Sequence, residues 1–240
     1  MGYFKELRKR TLPEDKKEEV KTDLIAYYII RPLGDILTYP CLKLKISATI
    51  VTKISAIFIM LMYIIFLLGN TKFWYLIAVL FLFIWDVLDA VDGNIARYTD
   101  TCSPEGGLWD ASIGWLAMYF FFSAMGIVAF RENSLIEINF IPKYFYIVFG
   151  SFSAFSLIFP RLVMHKKAGL FGKEKIKEAK DRAHYGLIKK IIFNLTSING
   201  LAMIFFMVSV FTSTCNICTI LYLILNGAIG IGMTIKLLYE

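Results

Sequence analysis

Residues 73–100, FWYLIAVLFLFIWDVLDAVDGNIARYTD, begin as an unbroken apolar run and end with Asp86, Asp89 and Asp92 at three-residue intervals. A helix needs about 20 apolar residues to cross the ~30 Å hydrocarbon core of a bilayer. The chain is 58% hydrophobic and 16% aromatic, more apolar surface than a soluble domain carries. The run therefore reads as a membrane span, and its acids set the problem. A charged side chain near the bilayer centre costs about 2.5 kcal/mol or more, so intramembrane acids are paired, metal-bound or turned to a wet cavity.

Outward from this stretch, further apolar runs occupy 47–69, 107–130, 141–163, 190–212 and 215–238. With 73–97 they predict an all-α polytopic membrane protein of six transmembrane helices, integral to the cell membrane or another cellular membrane. Spans five and six are separated only by the polar turn STCN and predict an antiparallel hairpin. Residues 1–46 form a separate N-terminal segment, and 47–240 one transmembrane domain. Residues 1–46 carry ten Lys and Arg and 161–190 another ten, whereas the alternate connections hold Lys72, then Arg131 and Lys143, then none. Basic residues accumulate on the cytoplasmic side, so both termini, the loop 98–106 and the acids beside it are expected to face the cytoplasm. The same bias accounts for the net charge of +7. No stacking or basic-groove module accompanies it, and nucleic acid is excluded as a partner.

The start, MGYFKELRKR, has no apolar signal-peptide core, and Glu6 breaks the myristoylation pattern. Residues 14–30 predict an amphipathic helix along the cytoplasmic interface, interrupted by Pro32 and Gly34. The stretch 171–190 spaces Phe171, Ile176, Ala179, Ala183 and Leu187 as a short surface helix does, or serves as a solvated basic loop. His165 and His184 read as solvated. Cys215 and Cys218 have no partner pair for zinc; they read as structural, with an external disulfide as the alternative. Asn194-Leu-Thr196 fits a glycosylation sequon but falls at the cytoplasmic end of a span, and is discounted.

On a helix of 3.6 residues per turn, Asp89, Asp92, Gly93 and Ala96 lie on one stripe. Two carboxylates that can hold a hard cation are followed by two residues small enough for a ligand to approach the backbone. The next span repeats the device with Gly106, Asp110 and Gly114. Once the two helices run antiparallel across 98–106, Asp110 lies near Asp92. One alternative is that the acids merely end helices and the glycines serve packing, but Asp89 would sit ~15 Å inside the span at 1.5 Å per residue. Another is a cation-coupled transporter, whose acids would be spread through the depth of several spans.

The stretch Asp89-Ala-Val-Asp92-Gly93-Asn-Ile-Ala96-Arg97, eight residues, then Gly106-Gly-Leu-Trp-Asp110 resembles the signature of the CDP-alcohol phosphotransferases, D-x2-D-G-x2-A-R-x8-G-x3-D-x3-D. The stretch ahead of the first span, RPLGDILTYP and then KISATIVT, is also similar, with Ala48-Thr49 where Pro-Asn is frequent. The resemblance implies membrane-embedded transfer of a phosphoalcohol, phosphatidyl in the lipid enzymes, from a CDP-linked donor to an acceptor hydroxyl, with release of CMP. It implies a site for two Mg²⁺ or Mn²⁺ ions, held here by Asp89, Asp92 and Asp110. It further implies a nucleotide lying against Gly93, Ala96 and Gly106, with Arg97 organising the phosphates, and a homodimer. Arg31, Arg161 and the lysines of 166–180 either grip an anionic acceptor or set topology. The signature's fourth aspartate, second-metal ligand and catalytic base, falls at Gly114. Glycine does neither job, so turnover is expected to be slow or absent, the chain being an impaired transferase or a silent donor-binding homologue. Asp86, one turn before Asp89, is the substitute carboxylate.

Overall fold

The computed structural model describes residues 2–12, 20–172 and 186–239, and all regular structure among them is helical. A short α1 (Gly2–Thr11) is followed by a π-helical turn (Ala26–Ile30) that runs directly into α2 (Arg31–Lys43). Then come α3 (Ala48–Leu68), α4 (Lys72–Tyr98), α5 (Pro104–Arg131), α6 (Phe145–Phe171), α7 (Leu187–Thr196), α8 (Leu201–Thr212) and α9 (Cys215–Tyr239). Five of these, α3 to α6 and α9, are long and apolar enough to cross a membrane. The pair α7–α8 adds a sixth if it counts as one span, although it is bent by 52°. The protein is thus an all-α polytopic membrane protein, as expected, with the stretch 190–212, expected as one span, bent in its middle.

The helix ends near the acids are fixed locally. Ser103, in extended conformation, accepts a hydrogen bond from Gly106 N–H (3.0 Å) and Pro104 opens α5. A Ser cap followed by Pro satisfies one end donor and removes another. Ser47 starts α3 in the same way through Ile50 N–H (3.4 Å). After α4, Asp100 takes a left-handed conformation (φ 55°) that turns the chain back toward α5.

Neighbouring helices α3 and α4, α5 and α6, and α6 and α9 pack closely, and α3 also touches α5. Gly126 and Gly150 let α5 and α6 meet backbone to backbone: a Cβ at Gly126 would collide with Tyr146 O, and one at Gly150 would lie 2.5 Å from Phe122 O. Phe66, Phe121, Phe122 and Phe206 fill the core completely buried. The two motif helices, α4 and α5, do not share this close packing. The space left between their facing ends is where the acids gather.

One expectation changes, one alternative falls and one stretch lies partly outside the described residues. Residues 14–19 of the anticipated 14–30 helix lie outside the described residues, residues 21–23 form a turn, and the chain is helical from the π-turn onward with no interruption at Pro32 or Gly34. Proline lacks an N–H and crowds the carbonyl four residues earlier; the wider π-turn immediately ahead accommodates Pro32. Gly34 remains helical because it abuts α4, where an added Cβ would sit 2.9 Å from Ala90 Cβ. Cys215 and Cys218 are buried free thiols one turn apart on α9, not a disulfide. Of the surface stretch predicted over 171–190, residues 173–185, including His184, lie outside the described residues.

The bend between α7 and α8 coincides with a set of tertiary bonds. Asn194, the sequon residue, is buried: its Oδ1 accepts from Leu24 N–H (3.0 Å) and its Nδ2 donates to Thr22 O (2.7 Å). Ser197 Oγ donates to Asp23 Oδ2 (3.0 Å). The broken span is therefore stitched to the segment just before the π-turn.

Candidate metal centre

Asp89 and Asp92 share a face of α4 because three residues advance a helix by close to one turn. Asp110 comes from the second turn of α5, and one carboxylate oxygen from each of the three lies within 4.8 Å of the others. Asp92 is buried, Asp89 half-buried and Asp110 exposed. Two like charges at that spacing repel by about 3 kcal/mol at an effective dielectric constant near 20. The arrangement calls for a cation or a shared proton. Thr52 of α3 donates its hydroxyl to Asp92 Oδ2 (2.5 Å), fixing that carboxylate from behind.

Beside the acids, a cavity of about 290 Å³ has Asp23, Trp85, Asp89, Asp110, Gly114 and Arg161 in its wall. A model of the CDP-alcohol phosphatidyltransferase family matches residues 45–215, a stretch that contains α3 to α8 and both motif helices. The chain belongs to that family. No curated protein matches it. A CDP-alcohol phosphatidyltransferase moves phosphate-containing groups within a membrane and uses divalent metal. The carboxylate cluster has the hard oxygen donors such ions prefer.

The remaining residues of the phosphatidyltransferase signature are placed as follows. Arg97 folds back over Gly93, so that a Cβ there would lie 2.8 Å from Arg97 Nη2, and the guanidinium donates to Asn94 Oδ1 (3.4 Å). Ala96 is half-buried on the same face. Gly106 is occupied with the cap of α5 through its N–H. At Gly114 an added Cβ would meet nothing within 4 Å. Asp86 is only 4% exposed; its Oδ2 has no hydrogen-bond partner among the described residues, Asp23 and Asp89 are charged neighbours, and it is absent from the cavity wall.

A polar seam behind the signature ties the N-terminal helices to α4. Asn94 Nδ2 donates to Asp35 Oδ1 (3.1 Å) and Thr38 Oγ1 (3.3 Å), and Arg8 Nε donates to Asp35 Oδ2 (2.9 Å). Burial, and then the charge of Arg97, push the pKa of Arg31 down against the pull of Asp35 and Asp23. Arg161 reaches the cavity wall and donates to Leu157 O (2.8 Å). Lys166 and Lys167 instead line a separate groove of about 700 Å³ against the end of α9. His165 is exposed with its ring edge-on to Trp115, centroids 5.3 Å apart.

Asp23, Trp85 and Ser197 join the wall without any signal in the motif. The one hint is position: Asp23 ends the charged stretch EDKKEEVKTD and precedes LIAYYII.

Proposed function

We propose that this chain transfers a phosphatidyl group from a CDP-linked lipid to the hydroxyl of a polar alcohol, releasing CMP. The observation that carries the reading is the convergence of Asp89, Asp92 and Asp110 within 4.8 Å beside a cavity at the ends of two membrane helices. A lipid donor suits a site at the end of a span, where a headgroup reaches the acids while its tails stay among apolar helices. The acceptor oxygen attacks the outer phosphorus of the donor as the bond to CMP breaks.

Asp89, Asp92 and Asp110 fit Mg²⁺ or Mn²⁺, and an ion bound there supplies charge neutralisation for the pyrophosphate. The protein's own part is positional. Thr52 holds Asp92, Asn94 holds α2 against α4, and Gly93 with Ala96 keep that face of the helix low enough for a flat base. Arg97 is near enough to exchange its place over Gly93 for a phosphate, to which a guanidinium bonds in fork geometry. A second reading, a donor-binding homologue without turnover, rests on Gly114.

The deciding experiment incubates purified protein with CDP-diacylglycerol, Mg²⁺ or Mn²⁺ and a panel of polar alcohols. Metal-dependent CMP release is expected, and Asp89→Asn is expected to lower it by about 10³, the several kcal/mol that charge neutralisation supplies. Equal release by Asp89→Asn sinks the transferase reading, and donor binding without any release favours the silent homologue.

A further inference from the structure

The cavity beside the acids has a carboxylate in its wall that neither motif helix supplies. Asp23 Oδ1 accepts from Ala26 N–H (3.2 Å) and Oδ2 accepts from Ser197 Oγ (3.0 Å) at the bend between α7 and α8. The flanking residues are pinned as well, since Thr22 O and Leu24 N–H both bond the Asn194 side chain. Bonds made by Asp23 and by both of its chain neighbours thus fix its position.

The same wall contains Gly114, with open space around its missing side chain, and Trp85, which is 3% exposed with an indole N–H that has no hydrogen-bond partner among the described residues. A buried donor left unmade costs roughly 1–3 kcal/mol. Trp85 thus brings an unsatisfied donor to the residues that wall the cavity.

Resting on the transferase reading above, we propose that Asp23 is the catalytic base of this chain, doing from the N-terminal segment what a carboxylate at position 114 would do from α5. The acceptor hydroxyl enters the cavity between Asp23 and the motif acids. Its oxygen forms the new bond to phosphorus. The bond from that phosphorus to the CMP oxygen breaks, and its electron pair leaves with CMP. The hydroxyl proton passes to an Asp23 carboxylate oxygen and from there to water.

Asparagine keeps the shape of Asp23 but not its basicity, whereas glutamate keeps the basicity and changes the reach. A base and a structural pin therefore rank the two variants oppositely. With CDP-diacylglycerol, Mg²⁺ and the best acceptor of the panel, Asp23→Asn should lower kcat by about 10² or more with donor affinity held within about twofold. Asp23→Glu should stay within about tenfold of the parent. Gly114→Asp added to Asp23→Asn should recover at least about tenfold of the lost rate.

The proposal is overturned if Asp23→Asn keeps the parental kcat, if Asp23→Glu is as slow as Asp23→Asn, or if the double variant recovers nothing. A parent protein that binds donor and releases no CMP also overturns it, while leaving the donor site standing. Loss of metal-dependent donor binding in the parent removes both readings together.

Discussion

The two ends of the helix bundle spend their charged side chains differently. At the end formed by the α3–α4 and α5–α6 connections, Arg131 donates to Phe66 O (3.1 Å), Leu67 O (2.7 Å) and Gly69 O (3.1 Å), covering the carbonyls where α3 stops. Lys72 donates to Phe211 O (2.8 Å) and Ser213 Oγ (2.9 Å), and Glu132 accepts from Cys215 N–H (3.1 Å). Each charge there closes a helix end that the sequence leaves with orphan groups. At the opposite end Asp89, Asp92 and Asp110 face one another, and no helix end is capped by them. Charges that satisfy backbone are consumed by the fold; charges that crowd each other remain available to a ligand.

The largest expected effect concerns which side of the membrane each end occupies. The basic-residue bias predicts that the acidic end faces the cytoplasm. In sealed cells, with exposed Cys102 replaced by serine, a membrane-impermeant thiol reagent should label Phe140→Cys and leave Leu170→Cys untouched. Labelling of position 170 from outside inverts the orientation.

A smaller change tests whether the acidic end has spare capacity. A Cβ added at Gly114 would meet nothing within 4 Å, so Gly114→Asp should fold normally. It should raise metal-dependent CMP release by about tenfold through a better-held second ion. An unchanged rate at limiting and saturating metal would show that position 114 is not part of the centre.

The smallest effect belongs to the opposite end. Arg131→Ala leaves the carbonyls of 66, 67 and 69 without their donor and should cost about 1–3 kcal/mol of stability, read as a lower Tm in detergent. Metal affinity should be unaffected. A matching loss of metal binding would mean that the two ends are coupled, contrary to their separate use of charge.

The sequence by itself determined the spans and the face on which the acids lie. Both follow from local rules: apolar length against bilayer thickness, and the 3.6-residue turn that stacks Asp89, Asp92, Gly93 and Ala96. The spacing to Asp110 was equally legible, since a short loop between antiparallel helices leaves little freedom. What only the tertiary structure decided depends on contacts between distant residues. Ser197 meets Asp23 across 174 positions and Asn194 meets Thr22 across 172, and these bonds lie at the break in a stretch that hydropathy alone draws straight. Helical periodicity carries no information about such pairs. Trp85 likewise reads as one more apolar residue of α4 until the fold turns its indole into a cavity wall, and Asp23 as one more charge in an acidic and basic stretch until α7 and α8 close around it.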